Sequence, residues 1–291
     1  MFSILIPTYN YNCYKLVYDL HEQAEVLGVP YEIIVTEDGS KSQVDIIANH
    51  KITDLSHCMH NVRKENIGLA ATRNELAAMA QYEWLILIDS DAKVDKDDYL
   101  KTYLDYAGKA EVVCGGLHHQ KVNHDSNRTL RFKYETEADK HRSASERSRD
   151  PYNQLSCFNI MLHRPTFMQI LFDKDCKEYG YEDALFGVEL ESRGIAILHI
   201  DNPLLHAGLD TNESFLRKSE TALRTLKGLK GRMNGRSHVE NAYDRLEHLH
   251  LVWLIRIVYR VFRKPILKNL LSRNPSLTLL SVYKLGYFAT L

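Results

Sequence analysis

Short apolar runs alternate with amphipathic stretches through the first 120 positions of this 291-residue chain. Phe2–Ile6, Glu32–Thr36, Cys58–Val62, Leu85–Ile88 and Glu111–Cys114 read as strands. Between them, Tyr14–Leu27 and Leu69–Ala80 place apolar residues three and four apart, the spacing of a helix with one buried face. Gly28 followed by Pro30 ends the first of these helices. Strands that alternate with helices join as parallel βαβ units, so a mostly parallel α/β sheet covered on its faces is predicted. From His118 to Pro151 the pattern dissolves into polar and charged residues, and long loops or a flap are expected there. Regular structure resumes near Leu155, and no internal repeat or low-complexity tract is evident.

Hydrophobic residues make up 44% and charged residues 26%, with net charge −1, a composition that is ordinary for a globular protein. There is no global basic excess that would point to nucleic acid. The five cysteines are odd in number, spread out and without a Cys-x-x-Cys pair, which argues against a disulfide framework and against a zinc knuckle. A reducing, cytoplasmic setting is therefore expected. Phe2–Ile6 has no basic flank and stops at Pro7, too short for the apolar core of a signal peptide, so the chain is expected to start with its first strand.

The tail differs in charge from the rest. After Glu247 there is no acidic residue, while Arg256, Arg260, Arg263, Lys264, Lys268, Arg273 and Lys284 supply seven cations. Over 249–268 these cations are interleaved with apolar residues in the pattern of an interfacial basic helix, possible contact for a membrane surface. The same stripe would equally suit packing on the chain's own domain or on a second subunit. Arginine interrupts it too often for a transmembrane span.

Three of the predicted strands end in polar signatures: Pro7-Thr8-Tyr9-Asn10, Glu37-Asp38-Gly39-Ser40 and Asp89-Ser90-Asp91. In an open α/β sheet such ends lie along one edge, so the three converge on one crevice. Asp89 and Asp91, two apart, point to the same side of an extended segment, and a turn could bring both onto one hard cation. Taken singly, each aspartate could equally cap a turn. Asp38 is placed to accept from a base or ribose donor. The segment Asn66 to Asn74 opens a helix whose free N–H groups favour phosphate, and Arg73 one turn in adds a planar charge suited to an oxyanion.

Together, Ser3–Asn10, Glu32–Ser40, Asn66–Asn74 and Asp89-Ser90-Asp91 resemble, in order and spacing, the family 2 glycosyltransferases. The resemblance is strong over residues 1–120. It implies the GT-A fold, a Rossmann-like, mostly parallel central sheet with helices on both faces, here with a C-terminal helical extension. It assigns Asp38 to the nucleotide base, Asp91 to Mn²⁺ or Mg²⁺, and Asp89 to ribose or metal. Pro7, Thr8, Tyr9, Asn66, Gly68, Arg73 and Ser90 complete the nucleotide-sugar set. Further on, Glu178 to Asp183 leads into an apolar helical pattern and resembles the Glu-Asp element that supplies the general base in inverting GT-A enzymes. It also looks like the acceptor-side motif of galactosyl- and N-acetylgalactosaminyltransferases. Asp183 is then the base and Glu182 an acceptor contact or an understudy to the base, with the helix N-terminus expected to keep the base ionised. His206, two before Gly208, resembles the histidine that completes a GT-A metal site, with His199 as runner-up.

The expected activity is metal-dependent, inverting transfer of a sugar from a nucleotide diphosphate, UDP-linked, to a hydroxyl of a glycan or lipid-linked acceptor in bacterial surface polysaccharide synthesis. A sugar nucleotidyltransferase would want a Gly-rich basic loop where Pro7–Asn12 stands. An inactive nucleotide-binding scaffold is the alternative from another class. The expected division is a donor half over 1–120, an acceptor half over 121–235 and the basic helical extension over 236–291, with an oligomer possible and the inner face of the plasma membrane as a peripheral location.

Overall fold

The computed structural model describes residues 1–123, 125–173, 175–176 and 178–291. The chain runs β1 (Phe2–Thr8), α1 (Tyr14–Leu27), β2 (Tyr31–Glu37), α2 (Gln43–His50), β3 (Cys58–Val62), α3 (Leu69–Met79) and β4 (Trp84–Ile88). Then come β5 (Ala92–Lys93), α4 (Tyr99–Tyr106), β6 (Val112–Cys114), β7 (Leu117–His119), α5 (Thr129–Asp139), α6 (Ala144–Arg147), β8 (Asn159–His163) and α7 (Arg164–Ile170). The second half closes with α8 (Glu182–Ser192), β9 (Ile197–His199), β10 (Leu204–His206), α9 (Asn212–Gly228), α10 (His238–His248), α11 (Val252–Leu270) and α12 (Leu277–Thr290).

Seven strands form one sheet in the order β3-β2-β1-β4-β8-β6-β9. β1 is parallel to β2 and β4, β2 to β3, and β6 to β9, while β8 runs antiparallel between β4 and β6. Every residue of β1 and β2 is buried, as a parallel strand covered on both faces requires. The period of two divides them: Ile4, Ile6, Ile33 and Val35 pack with α1 and α4, whereas Leu5 and Ile34 pack with α3 and α7 on the other face. The β1–β4 ladder stops at Leu5↔Leu87 although β1 continues to Thr8. Pro7, which has no N–H to give, therefore sits where the two strands part and a crevice opens.

A second sheet, β5-β10-β7, decides the site. β10 pairs antiparallel with β5, setting His206 opposite Ala92, and the Ala207 N–H donates to the Asp91 carbonyl at 3.0 Å. Within the stretch His118–Pro151, expected as long loops or a flap, the fold places β7, α5 and α6 with shorter connections between them; residue 124 lies outside the described residues. α5 buries only Leu130 and Glu135, and Glu135 is held by Arg131 and Arg142. α6 buries Arg147, whose guanidinium donates to the carbonyls of Cys114, Gly115 and Ile200. This interior is polar, so apolar periodicity could not register it.

α11 packs one face on α12, burying Tyr259, Ile266 and Leu270 beside Leu280 and Tyr283. Gly286 permits the approach, because a Cβ there would lie 2.7 Å from the Tyr259 Cβ. The opposite face leaves Trp253, Leu254, Ile257 and Val261 exposed. Among the described residues no helix is long and apolar enough to cross a membrane, and all five cysteines are free.

Candidate active site

Asp38 follows β2 and folds the next loop onto itself. Its carboxylate accepts from the N–H groups of Ile67 at 2.9 Å and Gly68 at 3.0 Å, and from Arg63 at 3.0 Å. Asn66 returns a bond to the Asp38 carbonyl at 2.8 Å. The contact is so close that a Cβ on Gly39, which has φ +69°, would meet the Asn66 nitrogen at 2.4 Å. The Asp-Gly pair thus sets the start of α3 against the end of β2, and carboxylate lone pairs remain for a further donor.

These elements enclose a cleft of about 510 Å³. Pro7, Thr8, Tyr9, Asp38, Asn66, Gly68, Asp89, Ser90 and Asp91 all line it, as the strand-end argument predicts. Leu69, Thr72, Glu178, Tyr179, Lys218 and Thr221 complete its walls. Glu178 and Tyr179 belong to the acidic segment before α8 that the sequence singled out, whereas Lys218 and Thr221 arrive on α9, and nothing in their local sequence pointed to them.

Arg73, expected to meet an oxyanion, meets two carboxylates in the fold. In place of a free cation for phosphate, its side chain is 1% exposed and is bonded at 2.7 Å to Asp89 and at 2.9 Å to Asp183. Burial opposes its charge, but Asp89 and Asp183 outweigh burial and hold the guanidinium ionised. Asp89 is in turn raised above the usual carboxylate range by burial, with Arg73 opposing and Asp91 adding to the rise. The Phe172 ring covers the Arg73 face of α3, 5.2 Å from the guanidinium, and Arg73 reaches the second cleft from beneath its two carboxylates.

Asp183 also accepts from the Cys157 N–H at 2.9 Å, so both its oxygens are oriented. It lies in a second cleft of about 290 Å³ with Arg73, Glu182, His206, Arg131 and Arg142. The two clefts share Leu69, Asp89, Asp91, Tyr179 and Lys218 in their walls, and so adjoin. Glu182 is buried at the start of α8 and accepts from the Gly180 N–H at 2.8 Å. Here the helix N-terminus does not win: burial and the charge of Asp183 push the Glu182 carboxyl up to about 7. Gly180, with φ +107°, lets the loop pass within 2.4 Å of the Ala222 Cβ, as measured from a Cβ built on it.

His206 Nε2 lies 3.0 Å from Asp91 Oδ2. The Phe158 ring steadies the imidazole at 5.2 Å, and Gly208 leaves room beside it, since a Cβ there would fall 2.2 Å from the same Asp91 oxygen. A carboxylate and an imidazole opening on a shared cleft are a donor pair that suits Mn²⁺ or Mg²⁺. Among the described residues no three His, Cys, Asp or Glu side chains converge into a complete cage. The alternative ligand His199 is elsewhere, bonded to Arg147 at 2.7 Å and to the Pro151 carbonyl at 3.0 Å, and its basicity is lowered by burial.

Comparison with known proteins follows this geometry. No curated protein matches the chain. The crystal structure of residues 1–349 of S. aureus TarS aligns with a TM-score of 0.54 at 16% identity, over 97% of this chain and 89% of that one. The same TarS fragment in complex with UDP-GlcNAc aligns with a TM-score of 0.52, at the same identity and coverage. At that identity the likeness shows a shared fold, GT-A-like with C-terminal helices. The model of the family described as "Glycosyl transferase family 2" matches residues 3–180, ending two positions before Glu182. That match takes in the strand-end and helix-start motifs of the first cleft and more than half of the sequence, so the chain belongs to glycosyl transferase family 2 and is a glycosyltransferase.

Proposed function

We propose that this enzyme transfers a hexose from a UDP-linked donor to a hydroxyl of a glycan or lipid-linked acceptor, with inversion at the anomeric carbon. The observation that carries the reading is the shared wall: Asp89 and Asp91 face both the cleft holding Asp38 and the cleft holding Asp183. A donor whose base lies at Asp38 and whose diphosphate lies at Asp91 then presents its sugar towards Asp183. The complex of the TarS fragment with UDP-GlcNAc supports a UDP-sugar. The likeness of Glu178 to Asp183 to the acceptor motif of galactosyl- and N-acetylgalactosaminyltransferases supports a hexose.

Asp91 and His206, with Asp89 beside them, would hold Mn²⁺ or Mg²⁺. A divalent cation bound there supplies positive charge against the charge that grows on the leaving diphosphate. Asp183 takes the proton of the acceptor hydroxyl as that oxygen attacks the anomeric carbon and the bond to the diphosphate breaks. Arg73 fixes the Asp183 carboxylate in position, and Glu182, its carboxyl pushed up by burial and by Asp183, can donate to an acceptor oxygen when it holds its proton. The exposed apolar face of α11, flanked by Arg260, Lys264 and Lys268, docks the enzyme on an anionic lipid surface, where a lipid-linked acceptor for surface polysaccharide is held.

The reading is tested by incubating the full chain with UDP-GlcNAc, UDP-GalNAc, UDP-glucose and UDP-galactose, with Mn²⁺ and with EDTA. Release of UDP from at least one donor, lost in EDTA and in Asp91→Asn, is expected. No release from any donor with Mn²⁺ present overturns it.

A further inference from the structure

A third cavity, of about 310 Å³, lies among α5, α9 and α12. Arg131, Tyr134, Tyr179 and Lys218 line both this cavity and the cleft that holds Asp183, so the two adjoin across these four side chains. Another of its walls is Lys284, half-buried, with its ammonium 5.1 Å from the centre of the Tyr134 ring and 5.8 Å from that of Phe215.

The other cations here have carboxylate partners. Lys218 pairs with Asp210 at 2.9 Å and Arg131 with Glu135 at 2.5 Å, while Arg142 bridges Glu135 and Asp139 at 2.6 Å each. Lys284 has no carboxylate within ion-pair distance among the described residues, and the charge that acts on it, Arg131, has the same sign. Burial and Arg131 lower its ammonium to about 8, which leaves it mainly charged at pH 7. A half-buried cation without a counter-ion, stacked on rings and facing a cavity, is completed by an anion. Tyr134 and Tyr179 remain 38% and 47% exposed, so a ligand there also meets flat apolar faces that a bare inorganic ion would not use.

We infer that this cavity is an acceptor subsite for a saccharide bearing a phosphate or carboxylate group, the anion on Lys284 and the sugar ring against Tyr134 and Tyr179. The inference rests on the proposed function, because it extends the acceptor from Asp183 into the adjoining space.

The test uses the full chain, saturation-transfer NMR, and three probes: glucose 6-phosphate, glucuronic acid and glucose. Saturable binding of at least one anionic sugar, at least tenfold tighter than glucose, is expected. That binding weakens about tenfold in Lys284→Gln and recovers in Lys284→Arg. The tighter of the two anions tells a phosphate-bearing from a uronic-acid-bearing acceptor. Equal binding of charged and neutral sugars, or unchanged affinity in Lys284→Gln, overturns the inference. UDP binding, measured on the same samples, separates the two readings: if UDP binds while the anionic sugars fail, the subsite is wrong and the donor site stands.

Discussion

Arg73 Nη1 donates to Asp183 Oδ1 at 2.9 Å across 110 positions of sequence, and its Nη2 donates to Asp89 Oδ1 at 2.7 Å. One buried guanidinium therefore sets the distance between the donor motif and the proposed base. Lysine offers a single point charge in place of this planar fork and cannot hold both carboxylates in the same geometry. Arg73→Lys is expected to fold and bind UDP, yet to lose at least tenfold in kcat. Arg73→Ala leaves Asp89 and Asp183 without their shared cation and is expected to cost about 3–5 kcal/mol of stability. Denaturant midpoints and steady-state transfer assays check both. A wild-type kcat in Arg73→Lys would refute the positioning role.

Asp183→Asn keeps the size of the side chain and removes its ability to take a proton. Transfer is expected to fall by about 10²–10⁴, with UDP affinity by calorimetry unchanged within about twofold. Retention of full transfer moves the base elsewhere.

Gly208 offers a test of the proposed cation seat that replaces no proposed ligand. A Cβ at that position would sit 2.2 Å from Asp91 Oδ2, so Gly208→Ala must displace the carboxylate. Mn²⁺ affinity in the presence of UDP, read by paramagnetic resonance, is expected to fall about 10–100-fold, the range seen when a ligand's support is disturbed. Unaltered Mn²⁺ affinity in both Gly208→Ala and Asp91→Asn places the cation away from Asp91.

Glu182 makes stability depend on pH. Its carboxyl is raised from 4.5 to about 7 in the folded chain, first by burial and then by Asp183. Between those values the native state holds a proton that the unfolded state has lost, so stability falls as pH rises and the full cost is present above about 7. Glu182→Gln is expected to be more stable than the native sequence at pH 8 by up to about 3 kcal/mol, and to show no such gain at pH 4. Urea midpoints at the two pH values decide. A pH-independent difference removes the buried proton from the account.

The free face of α11 gives the fifth expectation. Trp253→Glu combined with Ile257→Glu should abolish sedimentation with phosphatidylserine vesicles, and binding of the native chain should weaken with added salt. Equal sedimentation of the double variant overturns the docking face. A native dimer that becomes monomeric in the variant identifies the face as a subunit contact.

The donor side was legible because its information is local. The hydrophobic runs of β1, β2 and β4 and the polar residues that end them lie within a few positions of each other, and a parallel sheet aligns such ends without further instruction. Asp38, Asn66 and Asp91 came to one cleft for that reason. The Glu182–Asp183 pair was visible as two acids opening a helix, a signal equally short in range.

The rest depended on contacts between distant segments. The sequence showed that Arg73 stands one turn into a helix, but only the packing of Phe172 over that helix and the arrival of Asp183 turned a cation free for phosphate into a buried brace. It showed the acids and bases of 118–151 as a stretch with nothing to bury, whereas the fold buries Glu135 and Arg147 by pairing each with charges or carbonyls supplied from other positions. It offered His206 and His199 by position and resemblance, and the pairing of β10 with β5 set His206 3.0 Å from Asp91 while His199 was bonded to Arg147. The sequence by itself determined the parallel sheet and the residues at its edge, because periodicity and strand ends are written in neighbouring positions. Tertiary structure alone decided which charges are partnered and which, like Lys284, face a cavity without a counter-ion, because charge pairing depends on distance in space.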